Sequence, residues 1–232
     1  MDSASTGTDT QGLVSVSRLG GLAMIVGLGI HFVLNGVLKE FPPVDPTLSE
    51  LQAYLARENG AWTIIHGFRY LAFACIALFA AGLFSRTCGT GGVYASGWGV
   101  LGLLGAAIFV TNGVITNGIE ILAFHNDALV AQNQEGFWLL FRLTRVLFTA
   151  EIVTWSILIL GFSVAGWRSG TLPRWLAAIG LLQVVAGILT GVFIVSILSD
   201  GPATVIVEVA SVAGLVWFLS AGVYLLIQGD SV

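Results

Sequence analysis

Charged side chains stand inside stretches of the chain that are otherwise apolar enough to cross a membrane. Residues 112–151 lie between such stretches, yet they contain Glu120, Arg142, Arg145 and Glu151. A charge at the depth of the bilayer core costs about 3 kcal/mol on insertion scales. We therefore expect these groups to pair with one another or to face a wet interior rather than lipid.

The same feature recurs in the other apolar stretches. The charges expected within the membrane are three arginines and three glutamates: Arg69, Arg142, Arg145, Glu120, Glu151 and Glu208. If the spans alternate in direction, Glu151 lies near the midplane, and the other five share the outer half with His31, His66 and His125. Equal numbers of acids and bases favour mutual pairing, which lowers the cost of desolvation. The predicted ligand-binding residues of this buried site are His31, Asn35, His66, Arg69, Asn117, Glu120, Arg142, Arg145 and Glu208.

Two kinds of chemistry suit such a site in a bilayer. The first is binding of a small or lipophilic ligand. The second is an enzyme acting on a lipophilic substrate, because a carboxylic acid in an apolar pocket can stay protonated and act as a general acid. Glu120, Glu151 and Glu208 are the candidates for that role, with arginines holding an anionic head group. Pairing with arginine would keep these acids ionised, and the chain has no DDxxD-like cluster for metal-bound diphosphate.

The histidines raise a third hypothesis, a haem or metal site. His31 and His66 lie on neighbouring spans at similar depth, where they could be the axial ligands of a haem. With His125 and Glu120 they could instead ligate a metal ion. The sequence has no HxxxH, CxxCH or HExxH motif to support either.

Two further alternatives need no ligand of this kind. In the first, the buried Arg–Glu pairs fix helix packing and have no other role. Buried ion pairs are weak evidence of function. The chain could also be an accessory subunit whose charges match a partner in a larger membrane complex. A transporter is less favoured, since no inverted repeat is visible.

The composition favours a membrane protein. Of 232 residues, 56% are hydrophobic and 9% are charged, and the mean hydropathy is +0.92. Soluble domains carry about 25% charged residues. The net charge of −4 includes no basic stretch suited to nucleic acid, and the single lysine, Lys39, argues against a retinal-type Schiff base. Cys75 and Cys88 are expected to be free thiols.

Six apolar stretches predict an all-α membrane bundle with six transmembrane helices, since about 20 apolar residues cross a bilayer. The stretches are residues 19–38, 62–84, 100–124, 137–165, 176–198 and 204–227. Asp45 and Pro46 are typical of a helix start, so a short amphipathic helix is predicted in the first outer loop. Residues 1–16 are expected to be a disordered cytoplasmic tail, and residues 17–228 a single domain.

The loop charges predict the orientation. Alternating spans place Arg18, Arg86, Arg168 and Arg174 on one side. The other side carries Lys39 and Arg57 with seven acids, which are Glu40, Asp45, Glu50, Glu58, Asp127, Glu135 and Asp200. The positive-inside rule then puts both termini in the cytoplasm of a multi-pass protein of the plasma (inner) membrane.

Several short motifs resemble a broad set of bacterial, often actinobacterial, six-helix membrane proteins of unknown function. They are the SGTLPRWLAAIGLLQVVAGIL segment at 169–189, the WxxxH spacing from Trp62 to His66, the FPP–D loop at 41–45 and LFAAGLFSR at 78–86. The resemblance covers most of the chain and implies topology and a bacterial source. It implies no activity and carries over no catalytic residue.

Overall fold

The six predicted spans are confirmed. A computed structural model describes residues 15–37, 46–90, 92–125, 133–199 and 201–228. Within these ranges the chain is all-helical, and six helices are long and apolar enough to cross a membrane. The helices are α1 (Val16–Val37), α2 (Leu48–Thr90), α3 (Gly92–Phe124), α4 (Gln134–Ser169), α5 (Arg174–Val192), the short α6 (Ile194–Leu198) and α7 (Thr204–Gln228).

The long helices form a closed ring. Each contacts the next in the order α1, α2, α3, α4, α5, α7, and α7 returns to contact α1. We call the end that holds the start of α1 and the end of α7 the termini end, and the opposite end the far end. The Ser17 hydroxyl donates to the Gly82 carbonyl oxygen at 3.4 Å, which sets the start of α1 beside the end of α2.

The predicted amphipathic helix is helical, but it is not a separate element. It forms the first turns of α2, which runs without a break over 43 residues, or about 65 Å at 1.5 Å per residue. The predicted start of the amphipathic helix at Asp45–Pro46 was also wrong, because α2 begins at Leu48. Thr47 caps it: its backbone N–H donates to Glu50 Oε2 at 2.8 Å, and the Glu50 N–H donates to Thr47 Oγ1 at 3.3 Å. This is a capping box, which satisfies two N–H groups of the first turn.

Other boundaries differ from the predicted ones. Arg86 and Cys88 lie within α2 rather than in a loop, and the Arg86 side chain is buried. The fifth span ends at Val192, and α6 follows it after one residue. Both cysteines are free thiols, as predicted. Residues 1–14 of the expected tail, and Asp45, lie outside the described residues.

Among the described residues, two large apolar cores occupy the two ends of the bundle, and a third, small cluster consists of Ile152, Ala186 and Ala210. The termini-end core joins all six long helices through residues such as Leu28, Phe79, Phe162 and Trp217. The far-end core joins α1 to the first half of α2, the end of α3 and the start of α4, and it includes Leu51, Trp62, Phe124 and Phe137. No described residue of α7 belongs to the far-end core. Between the two cores the helices leave a cavity.

Candidate functional site

The cavity has a volume of about 340 Å³ and lies between α1, α2, α3, α4 and α7. Its wall is mostly apolar and includes five aromatic side chains: Phe73, Phe109, Phe148, Trp155 and Phe218. The ionisable residues of the wall are His31, Arg69 and Glu151. A pocket of this size with few polar groups in an apolar wall is typical of a small-molecule site.

Arg69 is fixed by two contacts made away from the cavity. Its guanidinium group forms an ion pair with the Glu120 carboxylate across the α2–α3 interface. The same guanidinium lies over the Trp62 ring, 5.6 Å from the ring centre. The Glu120 side chain is 8% exposed and the Arg69 side chain is 25% exposed. The pair therefore offsets the cost of burying Glu120 and leaves one side of Arg69 open to the cavity.

Glu151 brings a second carboxylate to the same region. It lies near the middle of α4 and is half-buried. Its carboxylate is close to the Thr116 hydroxyl group and to the charge of Arg69. Glu151 thus lies near the Arg69–Glu120 pair.

The wall of the cavity is partly exposed. Two of the wall residues have exposed side chains, His31 on α1 and Phe148 on α4. Ser211 is the wall residue of α7 nearest the far end. Glu208 is exposed, three residues before Ser211, and so lies on the same face of α7 and one turn nearer the far end.

The predicted histidine cluster does not form as a single site. His66 is buried in the far-end core, where its ring contacts those of Trp62, Phe124 and His125, with centroids 5.4, 6.0 and 5.2 Å away. His31 instead lines the cavity. Among the described residues, no group of three or more His, Cys, Asp or Glu could hold a metal ion. The proposed ligand set of His31, His66, His125 and Glu120 is therefore not assembled.

Three of the remaining predicted residues, which are Asn117, Arg142 and Arg145, lie outside the cavity wall. Asn117 is buried beside α2, where its Nδ2 donates to the His66 carbonyl oxygen at 3.1 Å. Arg142 is exposed, and its guanidinium lies 5.9 Å from the Trp138 ring centre. Arg145 is half-buried in α4. Asn35 belongs to α1, but its side chain lies outside the described part of the structure.

Sequence reasoning missed the aromatic wall residues and Ser211. Helical spacing was a usable signal on α4, because Phe148, Glu151 and Trp155 follow one another at three and four residues and so share a face. No comparable signal singles out Ser211, since small polar residues are common where membrane helices pack.

The fold defines the class of protein, a polytopic integral membrane protein. Comparison with protein-family models, with curated proteins and with solved structures finds no match. The cavity and its ionisable residues are therefore the basis for any statement about function.

Proposed function

We propose that the cavity binds a lipophilic small molecule, with its polar end beside His31, Arg69 and Glu151. The observation that carries this proposal is the position of Glu151, a charged residue near the middle of a membrane-spanning helix, in the wall of an apolar cavity. Ionisable groups at this depth usually serve ligand or ion binding.

Helix packing alone accounts for only part of the arrangement. The Arg69–Glu120 pair fixes α2 against α3 and would do so without a ligand. Glu151 has a different setting, because it lies in the wall of a cavity large enough for an organic molecule. A purely structural role would be served by closing this space with larger side chains, since voids in a core are destabilising.

The test is to fill the cavity and to measure which small molecules remain bound to the purified protein. Ala72 and Ser211 line the cavity on α2 and α7, so Ala72→Phe and Ser211→Phe reduce its volume. Ala74→Phe and Val212→Phe are matched controls at exposed positions of the same helices. Each variant is purified in dodecyl maltoside, and its organic extract is analysed by mass spectrometry.

We expect a compound present at about one molecule per protein chain in the wild type and in both control variants, and lost from both filled variants. The same extract from all five proteins would contradict the proposal. Size-exclusion chromatography of each variant checks that the filled proteins remain folded.

We also propose that the protein lies in a bacterial plasma membrane with both termini in the cytoplasm. The orientation is supported by the position of Arg18, Arg86, Arg168 and Arg174, all at the termini end of the bundle. Lys39, Glu40, Asp45, Asp127 and Asp200 lie outside the described residues. Labelling of Ser49→Cys from outside intact cells, in a background without Cys75 and Cys88, tests this orientation.

A further inference from the structure

The acid in the cavity wall, Glu151, lies near an arginine that is paired with a different acid. Arg69 faces two carboxylates, those of Glu120 and Glu151, and its guanidinium pairs with Glu120. His31 is the other titratable residue of the wall, and an ordinary imidazole is largely neutral at pH 7. When Glu151 is ionised, its charge next to an apolar cavity is costly unless a cation offsets it.

The aromatic wall suits the same kind of ligand. Trp155 lies one turn after Glu151 on the same face of α4, and Phe109 and Phe148 also line the cavity. Aromatic faces attract ammonium groups, most strongly when the cation is desolvated. Glu208 adds a second acid on the Ser211 face of α7, one turn nearer the far end.

We propose that the ligand of this cavity is a cationic amphiphile: an amine or quaternary ammonium group that pairs with Glu151, attached to an apolar body that fills the cavity. This inference rests on the proposed function and adds the chemical class of the ligand. An anionic head group fits less well, because Arg69 is already paired with Glu120 and Glu151 would repel the anion.

The experiment uses tritiated dodecyltrimethylammonium as the probe and the full-length protein immobilised in dodecyl maltoside. Unlabelled dodecyltrimethylammonium, dodecanol and dodecyl sulfate compete as a cation, a neutral molecule and an anion with the same alkyl chain. Glu151→Gln removes the charge and nearly keeps the shape, while Glu151→Asp keeps the charge. Glu135→Gln is the matched control, since Glu135 is exposed at the start of the same helix.

We expect saturable binding that Glu151→Gln weakens by about tenfold or more, the usual contribution of one charge-assisted contact. Glu151→Asp should bind more tightly than Glu151→Gln, and Glu135→Gln should match the wild type. Dodecyl sulfate should compete least. Unchanged affinity in Glu151→Gln, or displacement by dodecyl sulfate as effective as by the cation, would overturn the inference.

The failure of this inference is distinguishable from failure of the proposed function. If dodecanol and the cation compete equally and Ala72→Phe abolishes binding, the cavity binds amphiphiles without selecting a charge, and only the inference fails. If Ala72→Phe binds the probe as the wild type does, the probe binds elsewhere, and both fail.

Discussion

At the scale of single residues, the arrangement of Arg69, Glu120 and Glu151 distinguishes groups that hold the bundle together from a group available to a ligand. Arg69 and Glu120 compensate each other's charge between two helices. Glu151 lies near this pair and lines the cavity. The two glutamates should therefore respond differently to substitution, Glu120 through stability and Glu151 through binding.

The Arg69–Glu120 pair should be important for stability. Arg69→Met leaves the Glu120 carboxylate buried without its partner, and we expect a loss of about 3 kcal/mol in unfolding free energy. Adding Glu120→Gln to that variant should recover part of the loss, because the buried charge is then gone. Thermal unfolding in dodecyl maltoside, analysed as a double-mutant cycle, measures the coupling.

The matched control for that pair is Arg57 with Glu58. Arg57 Nε lies 2.9 Å from Glu58 Oε1, and the Arg57 side chain is 56% exposed. Arg57→Met should cost less than about 1 kcal/mol, as is usual for exposed pairs. Equal losses for Arg69→Met and Arg57→Met would contradict a buried pair between α2 and α3.

His66 should be replaceable by phenylalanine. Its side chain is 3% exposed, and its ring nitrogens have no hydrogen-bond partner among the described residues. Because an unpaired buried polar group is destabilising, His66→Phe should leave the thermal unfolding temperature unchanged or raise it. A marked fall in the unfolding temperature would contradict this prediction. If elemental analysis finds a stoichiometric metal in the wild type and none in His66→Phe, His66 is a metal ligand.

At the scale of elements, the length of α2 is the main departure from what the sequence predicted. The apolar face of residues 48–55 and the Thr47–Glu50 capping box are visible in the sequence, so a helix there was predictable. The amphipathic helix was predicted as an element separate from the second span at residues 62–84. Gly60 lies between the two, and glycine is unfavourable within helices. Packing of Leu51, Tyr54 and Trp62 in the far-end core outweighs that preference.

The continuity of α2 can be tested at Gly60. This glycine is exposed, and a Cβ added to it would meet no atom within 4 Å. In an uninterrupted helix, Gly60→Ala should raise the unfolding free energy by about 0.5–1 kcal/mol. If the chain instead turned at Gly60 between two helices, the substitution would give no gain or a loss in thermal unfolding.

The contact between α1 and α7 closes the ring at the termini end and depends on glycine. A Cβ at Gly21 would lie 2.6 Å from the Gly222 carbonyl oxygen and 2.7 Å from the Leu226 backbone nitrogen. Because both atoms belong to backbone, Gly21→Ala must push the helices apart, and we expect a loss of about 1–3 kcal/mol. Thermal unfolding measures the loss. Gly29→Ala, on the same helix but with open space around it, should be neutral or slightly stabilising.

At the scale of the whole molecule, the sequence was sufficient for the six spans, because an apolar stretch of about 20 residues or more is typical of a membrane-spanning helix. It was less informative about the site. Depth along a helix follows from counting residues, and it placed His31, His66 and Arg69 at similar levels. The direction of each side chain depends on how the helices pack, and packing separates His31 in the cavity wall from His66 in the far-end core.

The same limit applies to the charges. Equal numbers of arginines and glutamates suggested mutual pairing, yet Arg142 and Glu208 are exposed. Residues such as these near helix ends can reach the membrane surface, so the sequence count overestimates the charges that need a buried partner. Glu151 was predicted nearest the midplane, and it is the acid that lines the cavity.

The occupation of this cavity by amphiphiles is most directly tested by photolabelling with dodecanol that carries a diazirine group on its chain. The label is neutral, so the result does not depend on the charge of the head group. We predict saturable labelling within residues 148–155 and 211–218, lost in Ala72→Phe and kept in Ala74→Phe. Labelling that is identical in the two variants and confined to lipid-facing positions such as Val185 and Val192 would contradict a ligand site in the cavity.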